Sequence, residues 1–175
     1  LFFTVFLSLF ISSFLLSQGA INHSEKNTFV EGQSIYLVSD EHPYYNLLTS
    51  PLACWYTDKD QSLQPLLLVQ GQTVSARQQD FISKFTSDST IISIGFTPKK
   101  YAVDQTFVGS PLLLSYQLAK DYFPKSDKAL ILPIDESIDT YTLALLSTPL
   151  ASYLHMPILL YNPNQQHHQQ LFSTL

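Results

Sequence analysis

The stretch "TPLASYLHMPILLYN", Thr148–Asn162, repeats the outline of an earlier one, "SPLACWYTDKDQSLQPLLLVQ", Ser50–Gln70. Each reads as Pro-Leu-Ala, an aromatic-bearing helical segment, and then a proline opening a short, wholly apolar run. Pro149 follows Pro51 by 98 residues, Pro157 follows Pro65 by 92, and "LPIDE" (Leu132–Glu136) follows "LVSDE" (Leu37–Glu41) by 95. Gln-Gln ahead of a phenylalanine also recurs, with Phe172 following Phe81 by 91. Order is kept and spacing changes only at expected loops or helix ends, which is how duplicated supersecondary units diverge. The expectation is a repeat of about 95 residues, present once whole and once as its first half.

The apolar runs are continuous rather than alternating: Ser34–Val38, Pro65–Val69, Thr90–Ile94, Ala129–Pro133 and Pro157–Tyr161. Such runs suit strands covered on both faces, hence parallel ones. Between them, Tyr45–Tyr56, Ser75–Phe85, Pro111–Phe123 and Thr140–Leu154 have helical length and spacing. Ser75 with Gln78 makes a capping box, and Pro111 suits a first helical turn. The fold class expected is α/β, built of three-layer Rossmann-like units with parallel sheets in tandem repeat. Residues 34–125 form the first repeat and residues 126–175 a truncated second one. Residues 23–33 read as a linker.

No charged residue precedes Glu25, and Leu1–Leu16 is apolar, so residues 1–22 read as a signal peptide or, if retained, an N-terminal anchor. That makes the protein secreted, at the cell surface, touching membrane only through this segment. A start at Leu1 without a basic flank suggests a fragment. The single cysteine excludes an internal disulfide; beside Trp55 on a helix, Cys54 reads as a core thiol. Nine Lys and Arg against fourteen Asp and Glu give a net charge of −5 with no basic run, which argues against nucleic acid as partner. There is no G-x-S-x-G, phosphate loop or G-x-G-x-x-G. His167-His168 reads as a solvated face, and His155 as a helix end.

Strand, helix with Pro-Leu-Ala (Pro51-Leu52-Ala53; Pro149-Leu150-Ala151), Pro-led strand, helix, strand ending at Gly95 and a Gly109-initiated helix make up the observed order. This order resembles the type-2 cell-wall-binding repeat of prokaryotic surface proteins, over most of Ser34–Leu175. The resemblance implies a non-catalytic module, usually in tandem, that anchors a secreted protein to an anionic wall polymer. The chain departs from the family where an aspartate is usual, at Tyr45 and Leu143, and where a glycine pair is usual, at Gly95-Phe96. Its negative charge also opposes a polyanion unless calcium bridges the two or a local patch outweighs the total.

In parallel sheets, ligands sit at the carboxyl ends of strands. Asp40 and Glu41 lie there after the first strand, and Asp135, Glu136 and Asp139 after the fourth; these five are the candidate ligand-binding residues. Carboxylates can hold sugar hydroxyls or a cation, or act as acid and base; aspartate at such positions equally caps helices. Tyr44, Tyr45, Trp55, Tyr56, Tyr153 and Tyr161 offer sugar-stacking faces. The leading expectation is a non-catalytic surface protein whose repeats bind a cell-envelope polysaccharide and pack on neighbouring repeats. One alternative is a carboxylate- or metal-dependent glycan hydrolase using Asp40, Glu41, Asp135 and Asp139. The other is a structural scaffold in which the apolar faces Leu112–Leu114 and Leu143–Leu146 bury each other.

Overall fold

A computed structural model describes residues 28–31, 34–57, 60–85, 89–135 and 137–163. The segment expected to be a leader, Glu136, His167-His168 and the end of the expected second repeat lie outside the described residues. The class is α/β. Strands β2 (Ser34–Ser39), β5 (Leu66–Val69), β6 (Thr90–Ile94) and β7 (Gln105–Phe107) form a four-stranded sheet in the order β5-β2-β6-β7, parallel throughout. Continuous apolar runs are what such a sheet needs, because both faces are covered. Ile35 and Leu37 pack with Val69, Val74, Ile82 and Phe96 on one face. Tyr36 and Val38 face the larger core on the other.

Helix α1 (Tyr44–Ala53) and helix α3 (Pro111–Tyr122) supply that larger core, whereas α2 (Ala76–Phe85) brings Ile82 to the opposite face. The local signals behave as the residues dictate. Ser75 and Gln78 exchange the capping-box bonds, with the Ser75 N–H donating to Gln78 Oε1 at 2.9 Å and the Gln78 N–H to Ser75 Oγ at 3.3 Å. Ser110 caps α3 ahead of Pro111, accepting from the Leu113 N–H at 3.3 Å.

A second unit, β8 (Leu130–Pro133), α4 (Ile138–Tyr153) and β9 (Ile158–Tyr161), forms a two-stranded parallel sheet of its own with α4 packed on β8 and on α1. Its main-chain pairing matches that of β2 with β5. The Tyr36 and Asp40 N–H groups donate to Pro65 and Val69 carbonyls at 2.9 and 3.2 Å, and the Leu130 and Ile134 N–H groups to those of Pro157 and Tyr161 at 2.9 and 2.8 Å. Matched by these bonds, Tyr36 falls on Leu130 and Glu41 on Asp135, one residue away from the "LVSDE"/"LPIDE" match. Uniformly apolar strands carry no alternation, so sequence alone leaves their register open by one.

Four expectations need correction. The helix over Tyr45–Tyr56 stops at Ala53: Pro51 lacks the N–H that would extend the ladder, and Cys54 turns extended at φ −135°. Residues Cys54–Tyr56 are strand β3, paired antiparallel with β4 (Asp60–Leu63), which pairs parallel with β1 (Thr28–Glu31) inside the supposed linker. Cys54 is therefore exposed rather than a core thiol. Finally, Leu112–Leu114 and Leu143–Leu146 do not bury each other: Leu114 and Ala144 are covered, whereas Leu113, Leu143, Leu145 and Leu146 are exposed. Helix α4 turns its small residues, Ala144, Thr148 and Ala151, inward and leaves the leucines outside.

The outer edge of β9 is closed by a side chain. The Leu160 N–H, which points away from β8, donates to Ser115 Oγ of α3 at 3.0 Å, in a fully buried setting. Ser115→Ala leaves that N–H without a partner, and an orphaned buried donor costs about 1–3 kcal/mol. Urea unfolding of S115A should show a loss in this range with an unchanged m-value; a midpoint equal to wild type would mean that the edge is held by other contacts.

Candidate functional site: strand ends and an aromatic groove

The carboxyl ends of β2 and β8 lead directly into α1 and α4, whose N-termini lie side by side. Tyr44, the first residue of α1, meets Tyr141 in the first turns of α4 edge-on at 5.8 Å. His42 lies 5.5 Å from Tyr44 and 5.8 Å from Tyr45, ring centre to ring centre. The Tyr45 hydroxyl donates to the Gly109 carbonyl at 2.9 Å, and its ring fills the space beside Gly95, where a Cβ would sit 2.7 Å from it. Gly95 has φ +87°, so glycine is needed there for both shape and conformation. The Tyr44 hydroxyl is buried with no hydrogen-bond partner among the described residues. Burial raises its pKa first, and the nearby Asp135 and Tyr141 raise it further.

The predicted acids gather at this end, but two of them serve the backbone. Asp40 Oδ1 accepts from the Gly71 N–H at 3.1 Å, tying the loop after β2 to the loop after β5. Asp135 Oδ1 accepts from the Ser137 N–H at 2.8 Å. The hydroxyl of Ser137, then its N–H and the Thr140 hydroxyl, hold Asp135 below the usual carboxylate range. Glu41 is exposed beside Tyr45, whose pKa is raised first by burial and then by that carboxylate. Asp139 is exposed in the first turn of α4, where a negative charge complements the helix dipole. Among the described residues, no three or more His, Cys, Asp or Glu side chains are grouped to hold a metal.

A groove of about 580 Å³ opens at the other end of the α1–α4 pair. Its walls are the β3–β4 hairpin and the last turns of α1 and α4, with Trp55, Tyr56 and Tyr153 as its aromatic surface and Gln61, Ser62 and Ser152 as polar groups. None of its lining residues is charged. Trp55 stacks on His155 at 4.1 Å and 12°, and Phe123 meets the same imidazole edge-on at 5.2 Å. Tyr56 and Tyr153 lie near-parallel, 6.2 Å apart. His155 ends α4 as expected: at φ +44° its N–H donates to Ser152 and the Met156 N–H to Ala151, the two bonds of a Schellman motif.

Of the six aromatic residues offered for stacking, three meet here: Trp55, Tyr56 and Tyr153. Tyr44 and Tyr45 are buried under the strand ends and Tyr161 is half-buried at the end of β9. The polar wall, Gln61 and Ser62, escaped sequence reading because "DQSL" has neither an apolar run nor a turn dipeptide to mark a strand. A larger cavity of about 700 Å³ lies between α3 and the amino ends of β8 and β9. Lys120, Asp127 and Lys128 mix both charge signs there, at the end of the sheet away from the strand-end loops.

Compared with known proteins, the chain matches no family model, no curated protein and no solved structure.

Burial lowers the pKa of both His42 and His155 from 6.5, so the fold holds them neutral. Between that lowered value and 6.5 the unfolded chain binds more protons, and stability present above 6.5 is lost as pH falls. The depressed Asp135 acts further down: its contribution is present above the ordinary value of 3.8 and is lost as pH drops through its folded value. His155→Asn keeps a residue tolerant of positive φ and removes one titrating ring. Denaturant unfolding from pH 7 to pH 5 should show a steady decline for wild type and a shallower one for H155N. Identical slopes would show that His155 is not coupled to folding.

Proposed function

We propose that this chain is a secreted, non-catalytic surface protein whose Rossmann-like units form a tandem repeat, and that it attaches to a neutral cell-envelope polysaccharide through the Trp55–Tyr56–Tyr153 groove. The observation that carries this reading is the composition of the groove: aromatic faces, hydroxyl and amide groups, and no charge. Pyranose rings present apolar C–H faces that stack on aromatic rings, while their hydroxyls need polar partners. A neutral ligand also removes the conflict between a −5 chain and a polyanion.

The tandem reading draws support from detail shared by the two units. In each helix the hydroxyl preceding the proline donates to the carbonyl four residues back: Ser50 to Asn46 at 2.8 Å, and Thr148 to Ala144 at 2.8 Å. The strands that flank the two helices pair in one register. The change in spacing from 98 to 92 falls where the first unit adds the β3–β4 hairpin. As for hydrolysis, a pair of acids must face one substrate, with one proton held at neutral pH. Asp40 and Asp135 face backbone N–H groups, and Asp135 is shifted toward ionisation.

Co-sedimentation with envelope polysaccharide should be saturable, insensitive to salt and unchanged by a calcium chelator. Trp55→Ala and Tyr153→Ala should each weaken it by about tenfold, the loss of one stacked ring. Binding lost on chelation would move the contact to the strand-end acids, with calcium as a bridge. A folded protein that binds no envelope glycan would overturn the reading.

A further inference from the structure

The cavity between α3 and the amino ends of β8 and β9 stands apart from the groove, and its chemistry is different. Its volume, about 700 Å³, is that of a small-molecule pocket. Three of its lining residues, Ala119, Pro157 and Leu159, are buried, and Leu113 and Phe123 add apolar surface that water reaches. Its charged residues are Lys120, Asp127 and Lys128, and they collect at one end. Lys120 stands in the last turn of α3 and the other two on the loop that follows it. Leu113 lies two turns back along the same helix, a rise of about 10 Å from Lys120. The cavity is thus apolar along its length and cationic at one end.

Charge selects the ligand. Two lysines against one aspartate leave this end positive in a chain whose net charge is −5. Among the described residues the ion pair is Lys84 with Asp80, so neither cavity lysine is matched by a carboxylate. The helix dipole accounts for a cation at Lys120 but not at Lys128, which stands beyond the last turn. The loop carrying Asp127 and Lys128 is braced by its own bonds: Ser126 Oγ donates to the Lys128 carbonyl at 2.8 Å, and the Ser126 N–H to the Phe123 carbonyl at 3.1 Å. A single negative charge complements such an end. A dianion would add repulsion from Asp127, and a cation would meet two like charges. The apolar length beyond suits a hydrocarbon chain.

We propose that this cavity binds a medium-chain fatty acid, its carboxylate at Lys120 and Lys128 and its acyl chain running past Pro157 and Leu159 toward Leu113. The ligand touches α3, which closes the first unit, and β9 of the second. It therefore fastens one to the other, and by binding the folded chain it raises stability as its concentration rises. Cavity and groove share no residue, so the site is independent of the glycan reading.

Calorimetric titration of the full chain with decanoate, 1-decanol and decyltrimethylammonium tests this. Decanoate should bind saturably and raise the thermal midpoint with concentration, the alcohol should bind about tenfold more weakly, and the ammonium should not bind. The double variant Lys120→Gln with Lys128→Gln, at two exposed positions, should lose about tenfold in decanoate affinity while its circular dichroism spectrum and its affinity for decanol stay as in wild type. Asp127→Asn should bind decanoate about threefold more tightly, because one like charge is gone. Leu113→Asp, also exposed, should weaken decanoate by placing a charge where the chain ends. No saturable binding of decanoate by the folded protein, equal affinity for decanol, or an affinity undiminished in the lysine variant would overturn the proposal.

Discussion

The close approach of α4 to α1 governs the rest of the molecule. It depends on three small or short side chains, Ala144, Thr148 and Ala151, which let two parallel helices lie side by side with little between them. Thr148 satisfies its own hydroxyl by donating to the Ala144 carbonyl, so the polar atom that enters this contact has a partner that offsets its loss of water. Helix α1 is then covered nearly all round, with the parallel sheet on one side and α4 on the other, and only Asn46 and Ser50 are not buried along it. Because the helices are parallel, one contact sets both ends of the pair. It brings Tyr44 to Tyr141 at the strand ends and Tyr56 to Tyr153 at the groove.

The prolines in those helices explain why the two ends differ in character. Pro51 and Pro149 fall in the last turns, where each removes one ladder hydrogen bond. The hydroxyl just before each proline gives a carbonyl a donor in that turn, and the helices run past their prolines to Ala53 and Tyr153. Beyond that point the units part. The first continues extended into β3, while the second reverses at His155 through a left-handed turn straight to β9. Stacking of Trp55 on His155 then joins the two divergent exits.

Much of this scaffold is legible in the residues. The five apolar runs are strands, four segments are helices, and the signals at Ser75 and Pro111 stand where they act. These are local signals with local causes. What the chain does not announce is register and the small sheet. β2 and β8 are apolar without alternation, so nothing in them fixes which residue pairs, and the acid of one unit slips by one against the other. β1, β3 and β4 are short, mixed in polarity and held by each other, so their strand character is tertiary rather than intrinsic. The groove follows the same rule. Its rings could be named from sequence, but their meeting depends on the hairpin folding over α4.

The β3–β4 hairpin belongs to the first unit and the helix it folds against belongs to the second. Under the tandem reading, a groove is thus a property of a junction rather than of a repeat. A groove needs a unit that carries the hairpin with another unit after it, and the second unit, which runs from α4 straight to β9, supplies no hairpin of its own. Valency is then set by the number of hairpin-bearing units that have a neighbour, and lengthening the array with units that lack the hairpin brings no gain in avidity.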